Sequence, residues 1–113
     1  ATGAQVMPTL LSVKEKVSVV PAAPWNRFPH AFSHIFAGGY AAGYYSYLWA
    51  DVLAADAFSR FSEEGIFNPV TGQSFLDNIL SRGGSEEPMV LFERFRGRKP
   101  ELDAMLKGYG ING

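Results

Sequence analysis

The placement of proline divides this sequence into an irregular stretch and a long run that is compatible with helix. Three prolines fall within the nine residues from Pro21 to Pro29, and this spacing excludes a regular helix or strand there. From His30 to Glu64 no proline occurs, and Ala, Leu, Tyr and Phe are abundant. We therefore predict an extended linker followed by one long helix, broken near Gly38 and Gly39, because two adjacent glycines cost about 2 kcal/mol relative to alanine.

Helix start and stop signals predict further helices on either side of this run. Residues 7–19 are predicted to form either a short helix or a helix that runs into a strand. After a stop at Gly65, three shorter helices are predicted: about 71–81, from an N-cap at Ser85 to about 96, and 100 to about 107. The predicted fold class is all-α.

Length and composition exclude several kinds of partner. A net charge of -1 over 113 residues leaves no electrostatic footprint for nucleic acid or an anionic membrane. No cysteine is present, which excludes disulfides and thiolate zinc sites, and no apolar run approaches the roughly 20 residues that span a bilayer. We expect one helical segment over 1–113, with an N-terminal helix and linker over 1–29 and a helical core over 30–113. The start at Ala1 without methionine and the 14% aromatic content indicate a piece of a longer protein.

Tyrosines are concentrated in one short stretch. Four of the five fall within the eight residues from Tyr40 to Tyr47, close after His34. Because each buried phenol hydroxyl needs a hydrogen-bond partner, such a group is better explained as a row of donors facing a polar ligand. On a helix, Tyr40, Tyr44 and Tyr47 would share one face, and their hydroxyls could stabilise an oxyanion. An aromatic stripe buried between helices is the alternative interpretation.

The two histidines, His30 and His34, have the i, i+4 spacing that can bind zinc on one helix face. The zinc-peptidase motif requires a glutamate directly after the first histidine, but Ala31 stands there, and Pro29 disfavours a settled helix through His30. We therefore expect no metal site in this pair. We interpret His30 as a loop residue and His34 as a residue that faces a ligand.

One group of charged residues is predicted to lie at the protein surface. A basic cluster surrounds Gly97 and consists of Arg94, Arg96, Arg98 and Lys99. We interpret it as a solvated helix end favoured by the helix dipole, and not as a phosphate site.

Several separated segments together resemble a known family. Residues 34–49, which read HIFAGGYAAGYYSYLW, are similar to the C-terminal signature of the thimet oligopeptidase family of zinc metallopeptidases. Residues 51–58, 79–85 and 95–100 resemble further motifs from the C-terminal portion of that family, in the same order. The resemblance covers roughly residues 25–111, and it implies a segment of a larger, mostly α-helical zincin-type peptidase.

The resemblance assigns catalytic roles to three residues. It implies that the Tyr47 hydroxyl stabilises the tetrahedral intermediate formed when water attacks the peptide carbonyl. It implies that Tyr40 contacts the substrate from a mobile loop. His34, on the same loop, would bind and position the substrate.

The resemblance also implies residues that bind substrate without taking part in the chemistry. Tyr44 would be a further phenol that faces the substrate. Gly38 and Gly39 would be the hinge of the mobile loop, in agreement with the helix break predicted there.

The zinc ligands of the family, two histidines of a His-Glu-x-x-His helix and a downstream glutamate, have no counterpart in this sequence. The resemblance therefore implies zinc in the full-length enzyme, with ligands outside this chain, and neither zinc binding nor hydrolysis by these 113 residues alone. The implied partners are short peptide substrates and the remainder of the parent peptidase, in the cytoplasm. Self-association of an excised segment is also expected. The alternative is a non-enzymatic helical module that binds peptides or a partner chain.

Overall fold

The computed structural model describes residues 3–111, and within that range it contains helices and turns but no β-strand. A 3-10 turn (Gly3–Gln5) precedes the helices, which are α1 (Val6–Val17), α2 (Phe28–Ala31), α3 (Ser33–Phe36), α4 (Ser46–Glu64), α5 (Pro69–Phe75), α6 (Pro88–Arg96) and α7 (Asp103–Gly108). A π-helical turn, Leu76–Leu80, continues α5. The all-α class is confirmed, as are the three shorter helices after the longest one. In the described part of the chain, no helix is both long and apolar enough to cross a membrane.

The chain forms two compact units, residues 1–44 and residues 45–113. The first unit contains α1, which ends as the N–H of Ser18 donates to the Lys14 carbonyl at 2.8 Å. Residues 18–27 contain no helix, as predicted for the proline-rich linker, but the prediction is wrong for Phe28 and Pro29, which lie in α2. Proline is tolerated there because the first turn of a helix needs no N–H donor. The side-chain oxygen of Asn26 accepts the N–H of Phe28 at 2.8 Å and so fixes the start of α2.

The predicted helix break is confirmed, and it is wider than the glycine pair alone. Helix α3 ends at Phe36 and α4 begins at Ser46, so that residues 37–45 form turns. Gly39 has φ of 80°, in the left-handed region, where an α-helix cannot continue.

The wider break overturns one prediction about the tyrosines. Tyr40 and Tyr44 lie in the turns, and only Tyr47 lies in a helix. The shared helical face predicted for these three residues is therefore wrong, because helical periodicity does not apply before Ser46.

The core of the second unit lies between α4, α5 and α6. Its buried apolar residues are Val52 from α4 and Leu91, Phe92 and Phe95 from α6. The ring of Phe95 is 1% exposed, and the rings of Phe61 and Phe75 lie 6.1 Å and 5.2 Å from it. This aromatic packing holds the three helices together.

Several helix ends in the second unit follow the predicted signals, but α7 begins at Asp103 and not at Pro100. Helix α4 ends at Gly65, as predicted, and the Asn68 side chain accepts the N–H of Val70 at 2.9 Å to start α5. Helix α6 is capped at Glu87 and not at Ser85, so the predicted N-cap is wrong. Since the N–H of Ser85 donates to the Arg82 carbonyl at 3.1 Å, this serine belongs to the preceding turn.

Candidate active site

The turn after α3 folds back on the helix that it follows. The N–H of Tyr40 donates to the carbonyl of His34 at 3.0 Å, and that of Ala37 donates to Ser33 at 2.7 Å. A Cβ atom placed on Gly38 would lie 3.0 Å from the His34 Cα and 3.1 Å from its carbonyl oxygen. The glycine therefore permits the close backbone approach that returns Tyr40 to His34.

Replacing Gly38 by alanine is expected to open this turn, because the new methyl group would press on backbone atoms that cannot rotate away. Strain of this kind costs about 1–3 kcal/mol, so amide exchange should rise roughly 5- to 150-fold. The measurement is hydrogen–deuterium exchange of a peptide covering residues 33–41. Gly43→Ala is the matched control, since nothing lies within 4 Å of a Cβ there. Equal exchange in both variants would contradict the prediction.

Three of the predicted site residues come together in this turn. The His34 ring lies 6.0 Å from that of Tyr40 and 5.8 Å from that of Tyr44, and the two tyrosine rings are 6.5 Å apart. Tyr40 is 36% exposed and Tyr44 is 40% exposed, so both rings remain accessible while they contact each other. We call His34, Tyr40 and Tyr44 the ring cluster. Two phenol hydroxyls and an imidazole provide donors and acceptors for a polar ligand.

The fourth candidate, Tyr47, belongs to the second unit. It lies in the first turn of α4, and 47% of it is exposed. Helix α4 starts one residue earlier, at Ser46, so the position of Tyr47 is fixed by a regular backbone. A rigid element of this kind suits a hydrogen-bond donor that must be preorganised.

The residues described do not fit a zinc site. Over 3–111, no group of three or more His, Asp or Glu side chains is arranged to hold a metal ion. His30 lies in α2, so its interpretation as a loop residue is wrong, because Pro29 is accommodated in the first turn of that helix. His34 lies in α3, and Phe32 separates the two helices, so the two histidines do not share one helix face.

A buried carboxylate was not anticipated from the sequence. Asp56 of α4 is 0% exposed, and its two oxygens accept hydrogen bonds from Arg98 at 2.7 Å and 2.6 Å. Further hydrogen bonds come from the N–H of Glu101 at 2.8 Å and from Arg96 at 3.3 Å. Burial disfavours the charged form of Asp56, but the hydrogen bonds from Arg98, Glu101 and Arg96 outweigh it and lower its pKa.

The interpretation of the basic cluster as a solvated helix end is therefore wrong for two of its members. The Arg96 side chain is 11% exposed and also bonds Glu63 at 2.6 Å, while Arg98 bonds Asp56. One signal was available in the sequence. Asp56 lies four residues after the buried Val52 in α4, and residues at this spacing share one face of a helix. The Asp56 carboxylate is therefore on the face of α4 that packs inward.

The chain shares its sequence pattern with a peptidase family. The pattern that defines peptidase family M3 matches residues 2–111. The chain therefore belongs to peptidase family M3.

Individual members of the family are also similar over most of the chain. Oligopeptidase A of Escherichia coli (strain K12) is 78% identical over 111 residues, which are 98% of this chain and 16% of that protein. Oligopeptidase A of Haemophilus influenzae is 71% identical over 107 residues, covering 95% of this chain and 16% of the relative. Dipeptidyl carboxypeptidase of Salmonella typhimurium is 44% identical over 93 residues, which are 82% of this chain and 14% of that protein. The chain thus spans about one sixth of the length of the first two relatives.

Proposed function

We propose that this chain is a segment of a zinc-dependent oligopeptidase that hydrolyses short peptides in the cytoplasm. The observation that carries the proposal is 78% identity to a protein named oligopeptidase A over 98% of the chain. The exposed ring cluster agrees with it, because a peptide backbone offers carbonyl and amide groups that phenols and imidazole can bind.

In this proposal Tyr47 donates a hydrogen bond to the oxyanion of the tetrahedral intermediate. The charge on that oxygen develops only as the carbonyl is attacked, so a donor aimed at it favours the transition state over the bound substrate. Because Tyr47 lies in the first turn of α4, the helix backbone holds this residue in a defined position.

Tyr40, His34 and Tyr44 are proposed to bind and position the substrate. Their mutual ring contacts support this, because each ring limits the rotamers of the others. Gly38 and Gly39 are proposed to form the hinge of the loop that carries Tyr40.

The catalytic zinc is proposed to be held by residues outside this sequence. The His, Asp and Glu side chains within 3–111 do not fit a metal site, so this chain contributes hydrogen-bond donors and not metal ligands. The 113 residues by themselves are therefore expected neither to take up catalytic zinc nor to cleave peptides.

The test compares two forms of the protein. The complete polypeptide encoded by the gene that contains this sequence should cleave a quenched fluorescent peptide, with the products mapped by mass spectrometry. The isolated 113-residue chain should show no turnover above buffer and no tight zinc uptake in a metal titration. Cleavage by the isolated chain would refute the assignment of the metal ligands elsewhere. Peptide binding without cleavage by the complete polypeptide would favour the non-enzymatic helical module instead.

A further inference from the structure

Phe32 lies against the ring cluster but carries no polar group. Its ring is 4.8 Å from that of Tyr44, in an edge-to-face arrangement, and 5.9 Å from that of His34. Phe32 is partly buried, whereas His34 and Tyr44 are exposed. An apolar ring in this place cannot hydrogen-bond a substrate, so its contacts act on the neighbouring side chains.

The backbone fixes the origin of the Phe32 ring. Phe32 separates α2 from α3, with φ of -84° and ψ of 69°, and its carbonyl accepts the N–H of Phe36 at 3.4 Å. Phe32 is therefore the residue from which α3 starts, and α3 carries His34.

A second ring supports the first. The Phe28 ring lies 4.7 Å from that of Phe32, and the Lys14 ammonium of α1 lies 5.4 Å from the Phe28 centroid. Asn26 holds the start of α2 through the N–H of Phe28. A continuous line of contacts thus runs from α1 through Phe28 and Phe32 to the ring cluster.

We infer that Phe32 is a positioning residue, whose ring sets the orientation of the His34 imidazole and the Tyr44 phenol for substrate binding. The inference rests on the proposed function. Aromatic pairs favour particular tilts, so the Phe32 ring adds to the restriction that the rings of the cluster place on one another. Loss of that restriction weakens every hydrogen bond that depends on the orientation.

The test measures kcat and KM for a quenched peptide with the complete encoded polypeptide. Phe32→Leu keeps an apolar side chain but removes the ring, and it should lower kcat/KM by about tenfold, mostly through KM. Phe32→Tyr keeps the ring and should stay within about twofold of wild type. Phe36→Leu is the matched control, since Phe36 ends the helix that starts after Phe32 and is 63% exposed. It should also stay within about twofold of wild type.

A test of coupling between Phe32 and the ring cluster distinguishes a positioning role of Phe32 from a general loss of structure. In a background with both His34→Ala and Tyr44→Ala, Phe32→Leu should change kcat/KM by less than about twofold, because the side chains on which it acts are gone. An undiminished tenfold effect in that background would overturn the inference, as would Phe32→Leu behaving like Phe36→Leu in an active polypeptide. A wild-type polypeptide that cleaves no peptide would overturn the proposed function, and the inference with it.

Discussion

Tyr47→Phe is expected to lower kcat of the complete encoded polypeptide by about 10²- to 10³-fold while leaving KM nearly unchanged. The substitution removes one hydroxyl and keeps the ring, so packing in the first turn of α4 is retained. Losing one preorganised oxyanion donor costs about 2.7–4 kcal/mol of transition-state stabilisation. A loss confined to kcat would mean that the hydroxyl acts after the substrate has bound.

The neighbouring tyrosine provides the control for this measurement. Tyr45 is 75% exposed and directly precedes α4. Tyr45→Phe removes the same atom two residues away and should change kcat by less than about twofold. Circular dichroism should show equal helix content in both variants. If Tyr47→Phe kept the wild-type kcat, Tyr47 would have no role in stabilising the oxyanion.

The largest effect on stability is expected from Asp56→Asn. This change removes the charge that pairs with Arg98 and Arg96, and removing one partner of a buried ion pair costs about 3 kcal/mol. Local opening around Asp56 should then become easier, with amide exchange faster by about a hundredfold. Hydrogen–deuterium exchange of a peptide covering residues 91–102 reports this, because the Glu101 N–H donates to Asp56.

The effect should depend on pH in a defined direction. The pKa of Asp56 is lowered in the folded chain, so the unfolded chain takes up the proton first as the pH falls. The stabilisation is therefore fully present above about pH 5 and is lost below about pH 4, as the pH drops through the folded pKa. The difference in Tm between wild type and Asp56→Asn should be constant from about pH 5 to 8 and shrink under more acidic conditions.

Asp51→Asn is the matched control for Asp56→Asn. Asp51 lies on the same helix but is exposed, so its replacement should change exchange by less than about threefold. Similar exchange in the two variants would show that the buried ion pairs contribute nothing to the stability of this region.

The approximate helix positions could be predicted from the sequence because the residues that start and stop a helix act locally. The stop at Gly65 and the proline that opens α6 act on their own backbone and lie at helix boundaries in the structure, and Pro21 and Pro24 lie in the non-helical stretch between α1 and α2. The extent of the break after Phe36 was not accessible. Alanine and tyrosine between the glycines are compatible with helix, whereas the turn contains a left-handed Gly39 and a returning hydrogen bond from Tyr40 to His34.

The ring cluster and the buried Asp56 carboxylate show two different reasons why the sequence did not fully predict the site. The family resemblance named His34, Tyr40 and Tyr44, but their contacts arise from a turn and not from helical spacing. Asp56 and Arg98 are 42 residues apart in the chain, and their pairing depends on how α4 and α6 pack. Pairings at that separation follow from tertiary structure, which local propensity does not specify.

The most direct test of the account is the affinity of a phosphinic peptide, whose tetrahedral oxyanion resembles the proposed intermediate. The inhibition constant is measured with the complete polypeptide, as wild type and as Tyr47→Phe. A donor to the intermediate predicts that inhibition weakens by about the same factor, 10²- to 10³-fold, by which kcat falls, while binding of an uncleaved substrate analogue is unchanged. Equal inhibition of the two proteins would contradict the role assigned to Tyr47.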